Sequence, residues 1–223
     1  MKKRMLSFLL ALCMALTLLP AAVFAEGGDA PTETLAINGT EFTAERTSIA
    51  CGEGTAVYDA ASKTLTLTNA TITNLAESKC GIRSSVDGLT IVLVGTNVIE
   101  LTGSEESMVG IALSADTTIK KNGADAASLT IKAKQAADNI GIHFDAECAL
   151  DIRDVTLNIL DDGSDGGFIG ITSPTSVYAD LTFRNADVTI TALTAISFSS
   201  AGASVTVRDS RMTLNYGKFR YLI

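Results

Sequence analysis

The chain has 223 residues, 47% of them hydrophobic and 5% aromatic, with 25 acidic against 17 basic residues and a formal net charge of −8 at pH 7. That length suits one domain with a substantial core. The acidic balance argues against nucleic acid and anionic membrane as partners, because both reward clustered Lys and Arg.

The N-terminus reads as an export signal. Lys2, Lys3 and Arg4 form a positive region, Met5 to Leu19 is an apolar run, and Pro20 ends it. Val23-Phe24-Ala25 then offers the small-residue pattern that a signal peptidase needs. Residues 1–25 are therefore expected to be a signal peptide cleaved after Ala25, giving a secreted or cell-surface protein with no membrane insertion after cleavage. A retained anchor is the runner-up, but the apolar run is short for a span. The signal takes three basic and no acidic residues with it, so residues 26–223 keep 14 basic and 25 acidic ones, a balance of −11.

Residues 26–57 hold a polar stretch, EGGDAPTET, followed by strand-like LAINGTEFT and a further strand pattern up to Val57. Stacked coils need a cap over their open sheet edges, so this segment is predicted to be a linker and N-terminal β cap.

From residue 58 the chain repeats. Gly-Ile recurs at Gly81-Ile82, Gly110-Ile111, Gly141-Ile142 and Gly170-Ile171, with a degenerate copy at Ala195-Ile196, at spacings of 29, 31, 29 and 25 residues. Between these marks lie period-2 segments such as LTLTNATIT (65–73), LTIVLV (89–94) and LTFRNADVTIT (181–191), punctuated by Asn, Asp and Gly. This is strand-and-turn chemistry repeated at a fixed period. The next strand entry after each mark falls at 89, 118, 150, 181 and 205. The pattern predicts an all-β protein, a right-handed parallel β-helix of about five to six coils over residues 58–223. A leucine-rich repeat lacks its Leu-x-x-Leu-x-Leu signature here, and a β-sandwich gives no reason for the recurring dipeptide. The closing NYGKFRYLI has no polar end segment. Either Phe219, Tyr221 and Leu222 fold over the last coil, or the chain is a piece of a longer repeat protein; the second is the favoured expectation.

Carboxylates are the first candidates for chemistry. Asp87, Asp116, Glu147 and Asp180 each precede a second strand, so in-register coils would stack them into a ladder that must be hydrated, bonded to its turns or bridged by a cation such as Ca²⁺. Asp161, Asp162 and Asp165 on a Gly-rich insertion form a second candidate Ca²⁺ site, although the loop matches neither an EF-hand nor a calcium β-roll. The bland alternatives are turn capping and a solvated loop. Lys120-Lys121, Arg153, Arg184 and Arg208 are the basic residues a lyase could draw on, but the three arginines each precede Asp or Asn and predict a positive row at another corner, with structural pairing to Asp154 and Asp209 the simpler account.

Three cysteines remain after cleavage, which allows a Cys51–Cys80 disulfide with Cys148 free, or three buried thiols. His143 is alone, no Gly-x-Ser-x-Gly occurs, and no carboxylate pair sits where burial would raise a pKa, so catalysis is not expected. Trp is absent, and Tyr58, Phe168, Tyr178 and Phe198 are the candidate exposed aromatics.

Tyr58-Asp59-Ala60 with Leu65-Thr66-Leu67, followed by Leu89-Thr90-Ile91-Val92-Leu93, Gly95 and Asn97, resembles a family of exported bacterial carbohydrate-binding proteins with a pectate-lyase-like β-helix. Looser coils extend the likeness to about residue 215, with departures such as Ala195 for Gly. The resemblance implies non-catalytic, calcium-dependent binding of acidic plant cell-wall polysaccharide. The competing expectation is a structural or adhesive segment of a larger surface protein, and a polysaccharide lyase or hydrolase comes third.

Overall fold

The computed structural model describes residues 33–73, 75, 78–102, 107–134, 138–162 and 167–216. Residues 1–25, read above as a signal peptide, residues 26–32, the first part of the predicted linker, Asp165 and the closing residues 217–223 lie outside them. Among the described residues there is no helix.

Four short strands come first: β1 (Leu35–Ile37), β2 (Thr40–Glu41), β3 (Ser48–Cys51) and β4 (Gly54–Asp59). A partial coil follows, β5 (Thr64–Thr68) and β6 (Thr71–Ile72). Full coils of three strands come next, beginning with β7 (Cys80–Ser84), β8 (Leu89–Val94) and β9 (Thr96–Leu101), then β10 (Val109–Leu113), β11 (Thr117–Lys121) and β12 (Ser128–Ala133). The third is β13 (Ile140–Phe144), β14 (Cys148–Arg153) and β15 (Thr156–Asp161), and the fourth is β16 (Ile169–Ser173), β17 (Ala179–Arg184) and β18 (Asp187–Ala192). The fifth is β19 (Thr194–Phe198), β20 (Ser204–Arg208) and β21 (Arg211–Tyr216). First strands stack into sheet A, second strands into sheet B and third strands into sheet C, and every pairing between coils is parallel. The molecule is a parallel β-solenoid.

Alternation along each strand puts one row of side chains inside. Ile82, Ile111, Ile142 and Ile171 stack in sheet A, Ile91, Ile119, Ile152 and Phe183 in sheet B, and Ile99, Ile131, Ile159 and Ile190 in sheet C. All are at most 1% exposed. Burying each such side chain is worth about 1.5–3 kcal/mol, so the three inner columns are the main source of stability.

The glycine of each Gly-Ile mark is set by space. A Cβ on Gly81 would stand 2.6 Å from the carbonyl oxygen of Gly110 and 2.7 Å from Ile99 Cγ2. On Gly110 the distances would be 2.5 Å to Gly141 O and 2.6 Å to Ile131 Cγ2, and Gly141 and Gly170 repeat the arrangement one coil on. Sheet A thus runs so close to sheet C that the branched methyl of each sheet C isoleucine fills the place of a missing Cβ. The degenerate copy fits this account. Ala195 lies on β19, the outermost strand of sheet A among the described residues, and the sheet C residue of its coil is Leu214, which has no methyl on Cβ.

Sheet B turns into sheet C through a left-handed residue. Asn69, Gly95, Asp154, Asn185 and Asp209 hold φ between 46° and 67° at this corner, and Asn and Asp are the side-chain-bearing residues that tolerate it best. Asn185 Nδ2 donates to Asp154 Oδ1 at 2.7 Å, tying adjacent coils together. At the N-terminal end the pairing changes hand. β1 lies antiparallel to β7, and β4 antiparallel to β5, so a β1–β2 hairpin turning at Asn38-Gly39 and a β3–β4 hairpin cover the first strands of sheets A and B.

Two expectations are corrected. Thr117, and not Thr118, stands in register with Leu89 and Leu150, so the second-strand entry of that coil is one residue earlier than its spacing from Gly110 suggests. Thr117 is buried, and its hydroxyl donates to the Ala115 carbonyl at 3.1 Å. The Cys51–Cys80 disulfide is absent: Cys51, Cys80 and Cys148 are separate buried thiols, near the carbonyls of Ile49, Ile82 and Leu113 respectively. Burial pushes the Cys80 thiol up to about 11 and the Cys148 thiol up to about 12, and raises Cys51 as well. All three should therefore resist a disulfide-exchange reagent at neutral pH in the folded chain and react on addition of urea. Rapid labelling of the native protein would contradict the packing.

Candidate polyanion-binding face

The outer face of sheet B carries two polar columns side by side. Lys120, Arg153, Arg184 and Arg208 are consecutive register partners on β11, β14, β17 and β20, so four cations stand one coil apart at the ~4.8 Å strand spacing. Two residues earlier on the same strands lie Thr118, Asp151, Thr182 and Thr206, continued by Thr90 and Thr64 on β8 and β5. Period-2 alternation places both columns outward, while Ile119, Ile152, Phe183 and Val207 between them point into the core column.

Like charges at this spacing repel, and a single carboxylate offsets part of that repulsion. Asp151 Oδ2 lies 2.6 Å from Arg153 and Oδ1 lies 3.4 Å from Arg184. Arg153 Nε is buried without a hydrogen-bond acceptor among the described residues. Lys120 and Arg208 are exposed. In a chain of net charge −8, four of the 17 basic residues share one line. The row predicted from Arg153, Arg184 and Arg208 is therefore longer by Lys120, and it lies on a strand face beside the corner.

The carboxylates do not form the predicted ladder. Asp116 and Asp180 fall in one column, but Ala149 stands between them: its N–H donates to Asp116 Oδ1 at 2.8 Å, and it pairs in register with Asp180. Asp87 falls one residue before that column and Glu147 two residues before Ala149, because the connections from sheet A to sheet B differ in length from coil to coil. Asp180 accepts from Ser204 Oγ at 2.7 Å, and Asp87 donates its backbone N–H to Glu33 at 3.3 Å. Asp161 closes β15, and Asp162 follows it, exposed, with its N–H donated to the Ala133 carbonyl at 3.0 Å. Among the described residues no group of three or more His, Cys, Asp or Glu converges as a metal-ligand set.

The aromatics divide. Phe168 is fully buried, Phe198 packs edge-on against Phe144 at 5.7 Å, and Tyr178 is exposed. Tyr58 packs on Phe42 at 5.6 Å in a cleft of about 480 Å³ beside the cap, which Glu33, Leu35 and Val86 also line. His143 on the outer face of sheet A is not isolated: its Nδ1 is 2.6 Å from Asp145 Oδ1, and Asp145 Oδ2 is 3.0 Å from Arg83. No sequence signal marks that contact, since Arg83 comes from two coils earlier.

Comparison with known proteins finds no matching family model, no matching curated protein and no matching solved structure. Any account of function therefore rests on the residues of this chain.

The outer face of sheet C offers a contrast in charge. Glu100 sits between Lys132 at 2.6 Å and Lys134 at 3.0 Å, and these hydrogen bonds hold its carboxyl below the usual range. A depressed folded-state pKa stabilises the protein above the unfolded value and loses that contribution as pH falls through the folded one. The melting-temperature gap between the native chain and Glu100→Gln should therefore narrow as pH is lowered from neutral to about 3. A gap independent of pH would refute the pairing.

Proposed function

We propose that the protein is a non-catalytic binder of acidic polysaccharide that engages its ligand along the outer face of sheet B. The observation that carries this reading is the pair of adjacent columns. Lys120, Arg153, Arg184 and Arg208 suit carboxylates repeated along a linear chain, and Arg offers two parallel donors to each. Thr90, Thr118, Thr182 and Thr206 beside them offer donors and acceptors to sugar hydroxyls. A flat, rigid face needs little reorganisation on binding, which favours weak sites acting together along a polymer. Calcium assistance remains part of the proposal only through bridging of ligand carboxylates, because cations of the protein itself face the polymer.

Retention on immobilised polygalacturonate, with a neutral glucan as control, tests the reading. Binding that survives a chelator and is lost in high salt is expected. Binding lost in chelator alone would move the contact to a Ca²⁺ site. No retention on any acidic glycan would end the proposal and leave the structural or adhesive role.

A further inference from the structure

The cleft beside the cap is built from both hairpins. β1 supplies Leu35, the connection from β2 to β3 supplies Phe42 and Thr47, and β4 supplies Tyr58 and Asp59. Backbone bonds hold the two rings in place. Phe42 N–H donates to the Leu35 carbonyl at 2.9 Å, and Tyr58 N–H donates to the Thr47 carbonyl at 2.8 Å. The rings then pack on each other at 5.6 Å, tilted by 54°. The rest of the apolar lining rests on the core, since Leu35 and Val86 are each 2% exposed. A volume of about 480 Å³ lies within the range of small-molecule sites.

Three polar groups of the cleft have capacity to spare. Tyr58 Oη and Thr47 Oγ1 have no hydrogen-bond partner among the described residues, and Glu33 commits only Oε1, to Lys63 Nζ at 2.8 Å and the Asp87 N–H at 3.3 Å. The Lys63 hydrogen bond holds the Glu33 carboxyl below the usual range, and bonds from Ser62 and the Ala61 N–H do the same for Asp59. Burial, and then the Glu33 charge, push the Tyr58 phenol up, so it stays a protonated donor. The cleft thus combines a fixed aromatic surface, two hydroxyls that donate and accept, and ionised carboxylates that only accept.

We infer that this cleft is a second binding site, separate from the polyanion face, and that it takes one uncharged pyranose residue. A pyranose presents an apolar C–H surface ringed by hydroxyls, which is the complement of this lining. Its C–H surface would rest on Tyr58 and Phe42, while its hydroxyls donate to Glu33 Oε2 and accept from Tyr58 and Thr47. Charge narrows the class further. Glu33 and Asp59 repel a uronate carboxylate, and Lys63 Nζ already holds the place on Glu33 that a ligand ammonium would take. The cations of sheet B do not reach the site. β4 is separated from β11 by β5 and β8, so Lys120 stands about 14 Å away at the ~4.8 Å strand spacing, and the arginines stand farther.

Calorimetric titration of the full chain with the methyl glycosides of glucose, galactose, mannose and xylose tests this, with galacturonate and glucosamine alongside. Saturable binding of at least one neutral glycoside is expected, with Kd on the order of 1 mM. Tyr58→Phe keeps the ring and loses one hydrogen bond, so it should weaken that binding roughly 2-fold to 13-fold. Thr47→Val, at an exposed position, should do the same, and Tyr58→Leu should abolish binding. Circular dichroism of each variant checks that the solenoid is intact, and Thr47→Val keeps the test open if Tyr58→Leu does not fold. No heat with any neutral glycoside overturns the proposal. So does tighter binding of galacturonate or glucosamine, or binding indifferent to Tyr58→Phe and Thr47→Val. Because no polyanion is present, failure here leaves the sheet B proposal standing, and the reverse also holds.

Discussion

Gly141→Ala should lower the melting temperature by roughly 4–12 °C, the equivalent of about 2–3 kcal/mol of overpacking in a chain of this size. The added methyl would be driven into the backbone carbonyl of Gly170 and to 2.7 Å from Ile159 Cγ2. Neither neighbour can yield cheaply, since the carbonyl belongs to a ladder of parallel strands and the isoleucine is fully buried with one strongly restricted χ1. Gly88→Ala is the control. Gly88 has φ of +72° but nothing within 4 Å of a Cβ, so it carries only the left-handed backbone penalty of about 1–2 kcal/mol. Pairing Gly141→Ala with Ile159→Leu removes the facing methyl and should recover part of the loss, as the natural combination of Ala195 with Leu214 suggests. Equal losses at Gly88 and Gly141, with no recovery in the pair, would mean that close sheet approach is not what these glycines serve.

Replacing Lys120, Arg153, Arg184 and Arg208 together by Gln should weaken binding to polygalacturonate roughly 4-fold to 900-fold. The figure follows from four solvent-accessible charge contacts of about 0.2–1 kcal/mol each. The two proteins should converge at about 1 M salt, where the screening length falls to ~3 Å. The opposite sign is expected at Asp151, whose carboxylate competes with the ligand for Arg153 and Arg184. Asp151→Asn should tighten binding while costing the fold little, as the pair is partly solvated. Asp151→Asn that weakens binding would show that the carboxylate serves to orient the arginines, and no change in the quadruple variant would remove sheet B from the site.

The architecture was legible because glycine is irreplaceable where sheets A and C approach, so the mark recurs wherever that approach recurs. The site was less legible. Counting forward from each glycine crosses the connection from sheet A to sheet B, which spans three residues after β10 and five after β16, and one residue of error turns a side chain from one face to the other. The carboxylate ladder was lost to that slip. The basic row survived because Arg153, Arg184 and Arg208 sit immediately before the left-handed corner residues Asp154, Asn185 and Asp209, so they are counted from a fixed point. Lys120 escaped the same count because its corner is the longer connection from β11 to β12, with Gly123 as its left-handed residue. The Arg83–Asp145 contact beside His143 joins residues two coils apart and leaves no trace in any local pattern.

The register also bears on how the chain finds its fold. Parallel partners between coils are separated by only 24 to 33 residues, whichever sheet they belong to. No parallel ladder requires distant parts of the polypeptide to meet, so each coil closes a loop of nearly the same entropy as the one before it. Relative contact order therefore falls as coils are added, which is unusual for an all-β chain. Growth should proceed by addition to a finished edge, with the antiparallel hairpins at β1 to β4 as the segment whose own contacts are most local.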